Sequence, residues 1–158
     1  MKALYIGSFD PFTNGHYDVL KQAEELFDDI VIVIAENPSK KRRFDMIRCS
    51  NAIETITKHN IVYSSSLTTD IMNYYECDYL IRGLRNTTDY LYEEALIKQY
   101  RMLKPDIKVV YFRASTDISS SFIYELYKRN KDVSPYVPYD KKYLDALYYL
   151  QGKFKEDY

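Results

Sequence analysis

The run Ile30-Val31-Ile32-Val33-Ile34-Ala35 is apolar at every position. A strand with one wet face alternates apolar and polar residues, so an unbroken run implies a strand covered on both faces. That requirement calls for a sheet held between two layers of helix, and the rest of the chain supplies them. Short β-prone runs at about Lys2–Ile6, Ile30–Ala35, Asn60–Tyr63, Asp78–Ile81 and Lys108–Phe112 alternate with helix-periodic segments. The spacing predicts helices over roughly Gly15–Phe27, Phe44–Thr57 and Thr69–Tyr75, the last with Thr68 or Thr69 near its cap. Another runs from a Thr87 or Thr88 cap to Leu103, with Pro105 beyond its end, one opens at Ser119–Ser121, and one covers Lys141–Tyr149. In the first helix Val19, Leu20, Ala23, Leu26 and Phe27 fall on one face. These β-α units in series predict an α/β fold: a single-domain, Rossmann-like, doubly wound parallel five-stranded sheet with helices on both faces. The domain spans residues 1–158.

Charge and composition exclude several functions. The 22 basic residues are matched by 23 acidic ones, which argues against a nucleic-acid binder, since those carry a basic excess. Cys49 and Cys77 fall in different elements, and with two histidines in the chain no zinc site can be assembled. A reduced, cytoplasmic setting follows as the expectation. No apolar run approaches the roughly 18 residues of a membrane span, and Met1-Lys2 leads directly into a strand without a signal peptide. Neither nucleic acid nor membrane is expected as a partner.

Four segments carry chemistry. Gly7-Ser8-Phe9-Asp10-Pro11-Phe12-Thr13-Asn14-Gly15-His16 leaves the first strand and enters the first helix, at the carboxyl edge where ligands bind in open α/β sheets. Helix N-termini attract anions, and a histidine there can donate to phosphate. The plainer alternative is a connection with a capping Asn14 and a surface histidine. Pro38-Ser39-Lys40-Lys41-Arg42-Arg43 follows the second strand and opens on the same edge. Such a charge run is commonly a solvated loop; its place at a strand's end favours a phosphate role for Lys40, less so for Arg42 and Arg43. Ile81-Arg82-Gly83-Leu84-Arg85 follows the fourth strand, where the two arginines and the Gly83 amide can converge on anions, and Glu93 lies on the next helix. Asp117-Ile118-Ser119-Ser120-Ser121 opens a helix with hydroxyls and free amides for a polyphosphate, although serine at a helix start is also a routine cap. His59 reads as a surface loop residue. No Gly-x-Gly-x-x-Gly, Walker loop or Gly-x-Ser-x-Gly elbow is present.

Taken in this order, the segments resemble the phosphopantetheine adenylyltransferase family of the nucleotidylyltransferase superfamily. The resemblance covers nearly the whole chain: Tyr5 to Pro11, Thr13-Asn14-Gly15-His16, the Ser-Lys-Lys loop, Ile-Arg-Gly-Leu-Arg, Asp89-Tyr90-Leu91-Tyr92-Glu93, Ile-Ser-Ser-Ser and Tyr136-Val137-Pro138. Thr-x-Gly-His is shared by many nucleotide-transferring enzymes, whereas its combination with the next two motifs is specific. Cytidylyltransferases carry Arg-Thr-Glu-Gly-Ile-Ser-Thr-Thr where this chain has Arg113 to Ser121, and nicotinamide-mononucleotide adenylyltransferases expect an arginine at Tyr124. Class I aminoacyl-tRNA synthetases share the core but need a tRNA-reading domain.

The resemblance implies adenylyl transfer from ATP to 4′-phosphopantetheine with Mg²⁺, giving dephospho-coenzyme A and pyrophosphate, in a homohexamer. The 18 tyrosines are compatible with subunit contacts. It implies catalytic roles for His16, Lys40, Ser8 and Arg85. The ATP side takes Ser8, Phe9, His16, Gly83, Leu84, Arg85 and Glu93, then Ser115, Thr116, Asp117, Ile118, Ser119, Ser120 and Ser121. The acceptor takes Ser8, Lys40, Leu67, Thr68 and Arg82, and no protein metal ligand is implied. The chain departs from the family at Ser8 (usually threonine), Ile6 (usually proline) and Tyr100 (usually asparagine), and its connection before Ile118 is about two residues shorter. Two alternatives are an adenylyltransferase with another acceptor, such as nicotinamide mononucleotide, and a non-catalytic nucleotide sensor. A sensor needs no aligned second phosphate, so Ser8, His16, Lys40, Arg82 and Arg85 together point away from it.

Overall fold

The computed structural model describes residues 1–144. Five strands, β1 (Lys2–Gly7), β2 (Asp29–Ala35), β3 (Asn60–Ser64), β4 (Tyr79–Leu84) and β5 (Lys108–Arg113), form one sheet in the order β3-β2-β1-β4-β5. Every pairing is parallel. The intervening helices are α1 (Asn14–Glu24), α2 (Met46–Glu54), α3 (Thr68–Tyr74), α4 (Thr87–Leu103) and α5 (Ser120–Lys128).

Alternate residues of the central strands serve opposite layers. Tyr5, Ile32 and Ile34 pack with Leu20 of α1, Ile53 of α2 and Ile123 of α5. Leu4, Val31 and Val33 pack with Met72 of α3 and Ile97 of α4. Ile30 through Ile34 are at most 1% exposed, which is why that run tolerates no polar residue. The segment after α5 closes the first layer: Val133, Val137 and Tyr139 join its core, and Tyr139 Oη donates to the Phe12 carbonyl at 2.8 Å. The strand order reverses between β1 and β4. Their following helices, α1 and α4, leave to opposite faces and open a crevice at the carboxyl edge.

Several boundaries differ from the sequence expectation. Helix α1 stops at Glu24 because the chain turns back into β2, leaving Leu26 exposed while Phe27 stays in the core. Strand β4 runs on through Leu84, since Arg82, Gly83 and Leu84 pair with Tyr111, Phe112 and Arg113 of β5. Arg82 and Gly83 therefore stand in a strand, not in a loop after it. Helix α2 begins behind an Asp45 cap, with Phe44 outside the helix and in the core. Asn86 caps α4 in place of Thr87 or Thr88, and Leu67 precedes α3 without a side-chain cap. The helix expected over Lys141–Tyr149 lies mostly outside the described residues. Among those described, no helix is long and apolar enough to cross a membrane.

Candidate active site

The crevice is organised by the turn between β1 and α1. Thr13 is the N-cap of α1: its Oγ1 accepts from the His16 N–H at 3.3 Å, and His16 Nδ1 accepts from the Thr13 N–H at 3.0 Å. This is a capping box with histidine in the place usually held by Glu or Gln. Asn14, the cap in the plainer alternative, instead donates to the Pro135 carbonyl. A backbone N–H can only donate, so Nδ1 is unprotonated and the neutral ring carries its proton on Nε2. The ring packs against Phe9 and Phe12, with centroids 5.0 and 5.4 Å away. Burial, then the charges of Arg85 and Arg82, push its pKa from 6.5 down to about 4. His16 is therefore a neutral Nε2–H donor at physiological pH. Phe9 is held at φ 45°, a left-handed backbone that a bulky side chain rarely adopts. Gly7 makes room for it, because a Cβ there would meet the Phe9 ring at 2.9 Å.

The basic loop is fastened onto this turn. The buried Asp10 carboxylate accepts from the N–H groups of Arg43 and Phe44 at 2.8 and 2.7 Å. Arg42 donates to the carbonyls of Ser8 and Phe44 and lies 3.7 Å from Asp10 Oδ1, so it acts as a clasp within the protein. Arg43 spans two loops, donating to the Asp10 carbonyl at 3.3 Å and to Ser121 Oγ at 2.6 Å. Lys40 and Lys41 pair with no carboxylate among the described residues.

The three serines divide their work. Ser119 caps α5, accepting from the Phe122 N–H at 3.1 Å; Ser120 Oγ donates to the Pro11 carbonyl at 2.9 Å; Ser121 Oγ receives Arg43. One is a cap and two are tethers to the first turn and the basic loop. The N–H groups of Ser120 and Ser121 occupy the first helical turn, where no intrahelical acceptor exists. Both residues line the crevice, where such amides can receive an anion.

On β4, Arg82 donates from Nε to Glu93 Oε2 at 2.8 Å, from Nη2 to Glu93 Oε1, and from Nη1 to the Ile6 carbonyl at 3.0 Å. Glu93, only 4% exposed, is thus first a holder of Arg82. Arg85 is held by Asp89, which accepts from its backbone N–H at 3.0 Å and from Nε at 3.2 Å. Gly83 lets α1 approach, since a Cβ there would lie 3.0 Å from Val19 Cγ2.

Two adjoining cavities result. One, of about 420 Å³, is lined by His16, Arg85, Glu93, Thr116, Ile118 and the three serines. The other, of about 450 Å³, is lined by Lys40, Thr68, Leu96 and Tyr100. Ser8, Arg43, Arg82 and Tyr92 border both. In the second, Thr68 Oγ1 and Tyr100 Oη are hydrogen-bonded at 3.0 Å. The sequence profile of the cytidylyltransferase-like family matches residues 4–134 of this chain. The chain belongs to the cytidylyltransferase-like family.

Among relatives in that family, a phosphopantetheine adenylyltransferase of Limosilactobacillus reuteri (strain DSM 20016) is 34% identical over 143 residues, covering 86% of this chain and 83% of that protein. A phosphopantetheine adenylyltransferase of Prochlorococcus marinus subsp. pastoris is 32% identical over 164 residues, covering 99% and 100%. A solved nicotinic acid mononucleotide adenylyltransferase of Plasmodium falciparum superimposes with a TM-score of 0.61 at 17% identity, over 87% of this chain and 90% of that one. This likeness shows that the fold is the family's.

The cytidylyltransferase-like crevice does not gather every residue expected there. Leu84 ends β4 with its carbonyl taken by the Ala114 N–H and lines neither cavity. Ser115 and Asp117 line a depression beside Asp18 that adjoins the His16 cavity through Arg85, Ala114 and Thr116, and the Ser115 N–H donates to Asp18 Oδ2 at 2.9 Å. Leu67 is 59% exposed and outside both cavities. His59 lies in the loop before β3 as expected, half-buried with Nε2 3.3 Å from Glu24. Sequence reading passed over Asp10 and Tyr92, and underweighted Arg43. Thr13-x-x-His16 carries the capping-box spacing that marks Thr13; nothing local marks Asp10.

Proposed function

We propose that this chain transfers the adenylyl group of ATP to 4′-phosphopantetheine, giving dephospho-coenzyme A and pyrophosphate. The reading is supported by its phosphopantetheine adenylyltransferase relatives. The observation that carries it is the pair of cavities meeting at Ser8 and Arg82, His16 lining one and Lys40 the other. Two anionic substrates need that layout: each in its own lobe, their reacting phosphates meeting where the lobes join.

An oxygen of the acceptor phosphate attacks the α-phosphorus in line. A new P–O bond forms, the α–β bridging bond breaks, and pyrophosphate carries the electron pair away. No covalent enzyme intermediate is needed, so the residues act by position and charge. His16 Nε2–H donates to an α-phosphate oxygen as negative charge grows on it. Lys40 and Arg82 offset repulsion between the two phosphates, and the Ser8 hydroxyl orients the attacking one. Arg85 and the amides of Ser120 and Ser121, at the positive end of α5, receive the leaving pyrophosphate.

Among the described residues no group of three or more ligating side chains could cage a metal, and the crevice carboxylates Glu93 and Asp89 are held by arginines. This donor set does not fit a protein-held Mg²⁺ site. A magnesium requirement, if the reaction has one, is met by an ion carried on the polyphosphate, as Mg²⁺ commonly binds. The proposal extends to a reducing cytoplasmic setting, supported by two free buried cysteines. It extends also to a hexameric assembly, supported by exposed Tyr74, Met102 and Leu103.

Pyrophosphate release on mixing ATP, Mg²⁺ and phosphopantetheine tests the reading, with nicotinamide mononucleotide and CTP as controls. Release is expected with ATP and phosphopantetheine alone. Release only with nicotinamide mononucleotide would replace the acceptor, and nucleotide binding without release from any pair would make the chain a sensor.

A further inference from the structure

Lys40 cannot hold its own position. It is exposed, and within its loop the support is local: its N–H donates to the Asn37 carbonyl, while the Ser39 N–H and hydroxyl donate to Asn37 Oδ1. None of these contacts refers the loop to the crevice. The loop leaves the sheet after Ala35, with the Glu36 N–H still donating to the Ser64 carbonyl, and is recaptured at Arg43 and Phe44, where two consecutive N–H groups converge on the two oxygens of Asp10. Arg42 reinforces the same junction through the Ser8 carbonyl. Asp10 belongs to the turn that carries Ser8 and leads to His16, so the junction refers one lobe of the crevice to the other.

The chemistry of the junction is specific for a carboxylate. Both facing groups are donors, a guanidinium lies nearby, and the acceptor is only 7% exposed. An amide in its place offers one oxygen and turns an NH₂ against a donor. A buried donor left without an acceptor is costly, so the loop would lift instead. The arrangement also runs onward: Arg43, whose N–H is held by Asp10, places its guanidinium on Ser121 of α5.

We propose that Asp10 is a positioning residue for phosphate transfer, setting Lys40 against Ser8 and His16 by fastening the basic loop to the first turn. This inference rests on the adenylyl-transfer reading for its kinetic consequence, but its structural consequence stands apart from it. Asp10 borders the Lys40 cavity, but both of its carboxylate oxygens are engaged by the Arg43 and Phe44 N–H groups, so it acts through the loop.

The experiment is a double-mutant cycle of Asp10→Asn and Lys40→Ala, read by pyrophosphate release, with hydrogen exchange measured on the same proteins. Misplacement by about 1 Å can lower a rate about 10²-fold, so Asp10→Asn is expected to lower kcat/KM for the acceptor by about that factor while ATP affinity changes less than about threefold. Adding Lys40→Ala to Asp10→Asn should then cost less than about threefold further, because the lysine is already displaced. Exchange of the Arg43 and Phe44 amides should quicken at least about tenfold, with β2 unchanged. Additive losses, or unchanged exchange at those amides, overturn the proposal. If the natural protein releases no pyrophosphate, the adenylyl-transfer reading fails and the exchange result alone decides the clasp. If Asp10→Asn does not fold, Arg42→Gln takes its place in the cycle: the same loop amides should loosen and the same non-additivity with Lys40→Ala appear, and an unaltered loop refutes the clasp.

Discussion

His16 serves two purposes that substitution can separate. Its Nδ1 satisfies the N–H of Thr13, a residue 3% exposed, and its Nε2 is left to donate into the crevice. Replacing it with alanine removes both. The orphaned Thr13 N–H costs about 1–3 kcal/mol, and in a domain of this size each kcal/mol lowers Tm by about 2–4 °C. Loss of an aimed donor to developing charge costs about 10²–10³ in turnover. Glutamine and glutamate are the residues most often found closing a capping box, so either can again accept from Thr13. Glutamate carries no N–H and puts an anion beside the incoming phosphate, while the NH₂ of glutamine sits on a longer, flexible chain and is not held on the line of Nε2. His16→Gln should therefore melt above His16→Ala by several degrees yet turn over at most about a hundredth as fast as the natural protein. His16→Glu should be slower still. Calorimetric melts and pyrophosphate release on the three variants check this. If His16→Gln melts as low as His16→Ala, the box does not stabilise α1. If it keeps more than about a tenth of natural turnover, Nε2–H is not the catalytic donor.

Four further outcomes follow from the geometry. The folded protein takes up the His16 proton near pH 4 against 6.5 for the free side chain, so between those values the unfolded chain binds more protons and stability falls with falling pH. A nuclear magnetic resonance titration, with His59→Gln assigning the signals, should place the His16 midpoint well below 6; a midpoint at 6 or above contradicts the buried neutral ring. Lys40→Ala should lower kcat/KM for the acceptor about 10²-fold and leave the ATP dissociation constant nearly unchanged; an unchanged acceptor kcat and KM removes Lys40 from the site. Gly83→Ala should cost about 1–3 kcal/mol by overpacking Val19, and denaturant melts should show Val19→Ala partly restoring that variant. Tyr100→Phe and Thr68→Val each break one hydrogen bond, so their combined effect on stability should fall short of the sum by about 0.5–1.5 kcal/mol.

The fold was legible because its cause is local. A strand dry on both faces must be apolar throughout, and Ile30–Ala35 says so without reference to any other residue. The end of β4 was not legible for the opposite reason. Arg82 and Gly83 are types that read as strand-breaking or loop-forming, and they are strand here only because β5 pairs with them. In the site, residue identities were visible but their partners were not. Ser119, Ser120 and Ser121 look alike in sequence, yet they face α5, Pro11 and Arg43 respectively. Asp10 finds its acceptor role 33 and 34 residues away, beyond the reach of any periodicity. Glu93 faces Arg82 because α4 passes the end of β4, a contact set by the strand order alone.

The charge state of His16 shows what that long-range assembly achieves. A histidine at the start of a helix could itself supply positive charge, but here burial and two arginines from the far side of the switch point keep it neutral. The cations of the crevice then include Lys40, Arg43, Arg82 and Arg85, the last two each paired with a carboxylate, groups whose ordinary pKa values lie far above neutrality. Attraction for two phosphorylated substrates is thus separated from donation at the reacting phosphorus. On the adenylyl-transfer reading, a fixed Nε2–H donor strengthens its hydrogen bond further as charge builds on the α-phosphate. On that reading the β4 arginines serve the turn after β1 twice, once to gather the substrates and once to keep its histidine uncharged.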